Sequence, residues 1–237
     1  IAEAYRRTID VSGLRTTKET ATSYTEVMTV QASGRRTFFH SRGANRLLVD
    51  EDIDPGASRI LHLAYLLLLD GVDPHAARIL QRIRAMGVKT SVDLVTEELG
   101  RTREVVLPAL DHIDYLILNE LEAGQCSGLE IRKADKTLDR KALAEAAKKL
   151  RRDNLVVIHM PEGALALDAD GETWVDSKPV KKIVGSVGAG DAFCAGLLYG
   201  LHEGWPIRQG LDLGHLAAAA CLGHETTTGG LRPVSEL

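Results

Sequence analysis

The chain has little of what marks a disulfide scaffold, a membrane protein or a nucleic-acid binder. Its three cysteines, Cys126, Cys194 and Cys221, stand far apart, and no C-x-x-C pair exists. Neither a zinc site nor a disulfide framework is supported by that spacing, and a reducing, cytoplasmic setting is expected. Uninterrupted apolar runs such as Leu63–Leu69 fall far short of the roughly 20 residues a bilayer span needs, so no membrane association is expected. No signal peptide is visible. The net charge of −4 gives no basic field, so nucleic acid is not an expected partner. Aromatic residues are scarce, at 4%. A large aromatic clamp for a purine nucleoside is therefore not favoured, and a small sugar suits the composition better. The chain also lacks an initial methionine. It opens at Ile1 in what reads as mid-helix (Ala2, Tyr5, Ile9), so an N-terminal part is expected to be missing.

What the chain does have is a glycine-rich loop, Gly185–Gly196, that runs into a helical pattern. Gly185, Gly188 and Gly190 precede Asp191, and Phe193, Leu197, Leu198 and Leu201 then recur at helical spacing. Such a loop leaves backbone N–H groups pointing outward, with the positive end of the helix dipole behind them. That is an anion site, above all a phosphate site. Gly185 to Gly190 has the glycine spacing of a P-loop, but Asp191-Ala192 stands where Lys and Ser/Thr are needed. A dinucleotide fingerprint from Gly188 would need glycine where Phe193 stands, and it belongs near the start of a chain. What remains is an anion hole with a carboxylate at its lip. A carboxylate repels phosphate but makes a good base for a hydroxyl that attacks a phosphoryl group. Asp191 can equally be read as a plain helix N-cap.

Ser186-Val187-Gly188-Ala189-Gly190-Asp191, followed by Ala195-Gly196, resembles the C-terminal signature of the ribokinase-like (pfkB) carbohydrate kinases. Asn119 and Glu122, as N-x-x-E after the apolar segment Tyr115–Leu118, resemble a second motif of that family. The resemblance runs from about Thr25 to Gly230. One departure is Gly185-Ser186, where the family usually has Asp-Thr. Another is Pro161 in the segment Val156–Gly163, where the family often has Gly. The resemblance implies an ATP-dependent sugar kinase. Asp191 would be its general base, and Gly188, Ala189 and Gly190 its anion hole. Asn119, Ser186, Gly163 and Ala218 would be nucleotide contacts, and Glu122 would organise Mg²⁺ through water. Asn45 and Arg36 would contact the sugar. As plain residues, Asn45 reads equally as a turn former, and Asn119 with Glu122 as a helix cap.

The coarse pattern agrees with this fold. Ser23–Gln31 and Arg36–His40 read as a hairpin with a turn at Ser33-Gly34. From Ile60 onward, apolar strands alternate with amphipathic helices, which argues a doubly wound, mostly parallel α/β sheet. The expected strands cover 60–69, 88–95, 115–119 and 155–160, with a hairpin around the Asp168–Gly171 turn. The expected organisation is a helix and connector over 1–21, a small β lid over 22–50, and an α/β kinase domain over 51–237. A lone hairpin is too small to stand by itself, and lids of this family often pair, so a homodimer through the lid is expected. Two alternatives stay open: a degenerate kinase that only binds sugar or nucleotide, and a nucleoside kinase.

Overall fold

Strand Ile60–Leu66 (β3) is apolar because both faces of the sheet are covered around it, as parallel strands require. The structure is a computed structural model that describes residues 9–30, 36–96 and 99–237. Beyond β3 the chain lays down β4 (Lys89–Leu94), β5 (Tyr115–Asn119) and β6 (Leu155–Met160), each parallel to the last. Then β7 (Gly163–Asp168) and β8 (Gly171–Asp176) return antiparallel. The six-stranded order is β3-β4-β5-β6-β7-β8.

Alternation along each strand divides two apolar layers. Leu116 and Leu118 face one side of the sheet, and Tyr115 and Ile117 the other. The first side is covered by α1 (Ala76–Ala85), α2 (Thr102–Val106), α3 (Glu120–Ser127) and α4 (Arg140–Leu150). The second is covered by α5 (Ala189–His202) and α6 (Ile207–Leu222). Helices thus lie on both faces, as expected. The second face is filled by the C-terminal helix pair, while the strand order itself runs without reversal among the described strands.

The pair α5–α6 is unusually close. A Cβ placed on Gly196 would lie 2.9 Å from the Gly214 Cα, and one on Gly200 would lie 2.8 Å from the Gly210 Cα. Real Cβ atoms do not approach that near, so only glycine lets the two backbones meet there.

Boundaries differ from the sequence expectation in instructive places. β3 ends at Leu66 rather than Leu69, because Tyr65 and Leu67 take positive φ (55° and 88°) and break the pairing with β4. α2 is short and passes directly into a 3-10 stretch, Leu107–His112, with Pro108 as its second residue. Asp73-Pro74 forms a 3-10 turn ahead of α1, with the Asp73 carboxylate accepting the Leu67 N–H at 2.9 Å.

The hairpin is present as β1 (Tyr24–Thr29) against β2 (Arg36–Ser41). The initial helical expectation around Ala2 and Tyr5 and the turn at Ser33-Gly34 lie outside the described residues. An ion pair between Arg42 and Asp70 joins the end of the hairpin to the loop after β3. No helix among the described residues is long and apolar enough to cross a membrane.

Candidate active site

The glycine loop enters α5 as expected, but the cap is Gly188, not Asp191. Gly188 has φ +86°, and its carbonyl accepts the first helical bond from Ala192 N–H at 2.9 Å. No side chain caps this end, so no side-chain acceptor takes up the first-turn N–H groups. A Cβ on Gly188 would sit 2.9 Å from the Thr227 Cβ, which excludes any other residue there without strain. Asp191 is the third residue of the helix. Its exposed carboxylate accepts a hydrogen bond from the Tyr65 hydroxyl at 2.6 Å. The plain N-cap reading of Asp191 is thereby removed.

The end of α6 braces the glycine loop: Val184 N–H donates to Leu222 O at 2.9 Å, and the Cys221 thiol donates to Val187 O at 3.5 Å. Beside it lies a cleft of about 450 Å³ lined by Val180, Lys181, Ala219, Ala220, Gly223 and Arg232 among others. Its apolar floor and cationic rim suit a base and a polyphosphate. Ala219 and Ala220 face this cleft. Ala218, the expected contact, instead packs against the apolar layer beneath α5, because one helical step turns it toward the sheet.

At the carboxyl ends of β4 and β5 a second polar group forms. Asn119 Oδ1 accepts the N–H groups of Leu121 and Glu122, both at 2.9 Å. Glu122 Oε2 accepts the Asn119 N–H at 2.9 Å, and its Oε1 accepts from Asn119 Nδ2 at 2.7 Å and Thr96 Oγ1 at 3.1 Å. This is a closed capping box. Burial pushes the Glu122 carboxyl up to about 7, and the nearby Asp93 charge adds to the rise. The capping alternative for this pair therefore holds. The donors are all oxygen, which suits hydrated Mg²⁺, and both Glu122 oxygens are already engaged, so contact through water is the form that fits.

The remaining expected residues are scattered. Ser186 is exposed in the extended segment before α5. Asn45 is exposed in the 3-10 turn Gly43–Leu47 that leaves the hairpin. The Arg36 side chain lies outside the described residues. Gly163 is glycine for a packing reason, since a Cβ there would lie 2.4 Å from Val175 O. Glu162 is bound by Arg132, which also holds Glu120. His159 packs on Phe193 at 4.9 Å between ring centroids and lies under Gly190. Burial draws its pKa down to about 4, with the His215 charge acting in the same direction.

Tyr65 carries no warning in sequence. Tyr65 sits inside an apolar run, and only its positive φ turns the ring toward Asp191. The one available signal for Asp93 is an acid on an otherwise apolar strand, which demands a partner. It has one, the Tyr65 backbone N–H at 2.7 Å.

A parallel sheet with a phosphate-type glycine loop behind an acid at the third helical position defines an α/β protein of ribokinase-like fold. The fold agrees with that of Arabidopsis thaliana ribokinase complexed with ribose and ATP, at TM-score 0.71 and 20% identity over 92% of this chain and 68% of that one. The chain belongs to the pfkB family of carbohydrate kinases, whose family model, "pfkB family carbohydrate kinase", it matches over residues 1–233. It is 40% identical over 65 residues to a 5-dehydro-2-deoxygluconokinase of Geobacillus thermodenitrificans, a match covering 27% of this chain and 19% of that protein. It is also 26% identical over 206 residues to an uncharacterized sugar kinase of Archaeoglobus fulgidus, covering 84% of this chain and 76% of the other.

Proposed function

We propose that this chain carries the phosphotransfer site of an ATP-dependent carbohydrate kinase. The observation that carries the reading is the acid at the third position of a helix whose first turn has no side-chain cap. The amides of Gly188, Ala189 and Gly190 face the transferring phosphoryl group and stabilise its charge. The Asp191 carboxylate accepts the proton of the attacking sugar hydroxyl. The Tyr65 phenol marks the spot, because its O–H already donates to Asp191 as that hydroxyl must. The cleft beside α6 holds the adenine and the Lys181–Arg232 rim its phosphates. Glu122 would hold Mg²⁺ through water, and the bound ion would supply charge neutralisation at the phosphates. Positioning and electrostatics then supply most of the rate.

Ser186 and Asn119 are assigned to the nucleotide side and Asn45 and Arg36 to the sugar side. The apolar residues Tyr24, Met28 and Phe39, each more than half exposed on the hairpin, support a homodimer through the lid. The three free, buried cysteines suit a reducing cytoplasm.

The test is ADP release, measured by a coupled assay over a panel of sugars and nucleosides, with Asp191→Asn as control. Turnover on one sugar that the variant loses supports the kinase. A second reading, a sugar- or nucleotide-binding protein without catalysis, is favoured by the occupied Asp191 carboxylate and by Gly185-Ser186 in place of Asp-Thr. Saturable binding of a sugar with no ADP release from any of the panel selects it.

A further inference from the structure

Much of the sheet face turned toward α5 and α6 is apolar, but under the first turns of α5 it is not. There β3, β4 and α5 bring His62, Asp93 and Cys194 together, with one ligand atom of each within 4.8 Å of the others. His62 Nε2 lies 3.7 Å from Cys194 Sγ and 3.7 Å from Asp93 Oδ2. Around zinc, bonds of about 2.3 Å to sulfur and about 2.0–2.1 Å to nitrogen place tetrahedral ligand atoms roughly 3.5 Å apart. The two distances from His62 Nε2 exceed that by a few tenths of an ångström, and the Asp93–Cys194 separation stays within 4.8 Å.

The supporting bonds point the same way. His62 Nδ1 pairs with Ser91 Oγ at 3.0 Å, which leaves Nε2 aimed at the other two groups. Asp93 Oδ1 is taken by the Tyr65 N–H at 2.7 Å, which leaves Oδ2 for a ligand. Metal-ligating histidines and carboxylates are oriented by outer partners in this way. We propose that His62, Asp93 and Cys194 form a binding site for a divalent cation of the zinc class, with a fourth position open to water. Imidazole and thiolate select such an ion over Mg²⁺, which prefers oxygen alone. On binding, the Cys194 S–H bond breaks, its proton passes to solvent and the sulfur–metal bond forms. Cys194 lies one turn beyond Asp191 on α5, so the ion adds positive charge beside that carboxylate. Inhibition of phosphoryl transfer follows, a consequence that rests on the proposed function, whereas the binding itself does not.

Cobalt(II) is the probe. The metal-free chain, titrated with cobalt, develops the near-ultraviolet absorption of a thiolate–cobalt bond, saturating at one ion per chain, and zinc displaces it. Cys194→Ser and His62→Gln abolish that band, while Cys126→Ser and Cys221→Ser leave it. Ser91→Ala keeps all three ligands and weakens binding about 10–100-fold. The idea is overturned if the unaltered chain shows no thiolate band, or if the band survives Cys194→Ser or His62→Gln. Because the band is read without substrate, cobalt binding in a chain that turns over no sugar supports the metal site and counts against the kinase reading alone.

Discussion

Replacing Asp191 by Asn separates a base from a structural acid more cleanly than any other change. The side chain keeps its size, and its Oδ1 still accepts the Tyr65 hydroxyl. The helix keeps its cap, because the cap is Gly188. Two stabilising effects shrink. An exposed acid in a first turn is worth about 0.3–1 kcal/mol against the helix dipole. Turning a charged hydrogen bond into a neutral one costs about 1 kcal/mol. Together they amount to no more than about 2 kcal/mol, which in a chain of this size lowers the melting temperature by under about 8 °C. Loss of a general base, by contrast, costs about 10²–10⁴ in rate, or about 2.7–5.4 kcal/mol at the transition state. ATP affinity should hold or rise, since a negative charge beside the γ-phosphate is gone. Turnover, ATP affinity and melting temperature are measured on one preparation, with the sugar found in the panel. Near-normal turnover in a folded Asp191→Asn chain would refute the reasoning.

Other outcomes follow from the same geometry. Gly188→Ala forces a side chain into φ +86° and against Thr227, at a cost of about 1–2 kcal/mol from the backbone alone; thermal melting should drop and ATP titration should weaken, and an unchanged affinity would show that the loop does not grip phosphate. Two buried groups oppose each other in acid. Glu122, raised from 4.5 to about 7, keeps its proton longer in the folded state, so its contribution is full below pH 4.5 and is lost as pH rises through 7. His159, lowered from 6.5 to about 4, contributes stability above pH 6.5 that is lost as pH falls through 4. The unaltered chain should therefore melt almost independently of pH between about 4.5 and 6.5; Glu122→Gln should fall in stability toward acid and His159→Gln toward neutrality, and parallel profiles for all three would reject the assignment. Gly185 offers no carboxylate oxygen where the family usually has Asp, so that position supplies no charged ligand for a monovalent cation beside the loop; exchanging sodium for potassium should raise turnover little, and a large rise would contradict this. Light scattering at micromolar concentration should give a dimer mass that Phe39→Ser lowers to that of a monomer; a monomer from the start removes the lid contact.

How much was legible beforehand depended on whether a residue's role is local. The glycine loop, the parallel strands and the hairpin are read from neighbours in sequence, and they were found within a few residues of their expected places. Asn119 and Glu122 were visible as a motif, yet the same four residues make a capping box, and only the structure shows that its bonds engage both Glu122 carboxylate oxygens. Ala218 packs against the core while Ala219 and Ala220 line the cleft, because about 100° of helix rotation separates neighbouring residues. Tyr65, His62 and Cys194 were invisible because their meeting depends on a break in β3 and on α5 crossing the sheet. The cysteine spacing argued against a zinc site, and spacing along the chain is blind to ligands brought together from three elements.

The glycine seam between α5 and α6 has a consequence for scale. One end of α5 presents the glycine loop, and the neighbouring end of α6 lines the cleft. With Gly196 facing Gly214 and Gly200 facing Gly210 at backbone contact, neither helix can slide or tilt without the other. The two grips therefore behave as the fixed jaws of a caliper. Its opening fixes the distance between the cleft beside α6 and the Asp191 carboxylate. A single added methyl at Gly214 would meet the Phe193 ring and carbonyl at 2.9 Å, so it would push α5 and α6 apart as a unit rather than at one point.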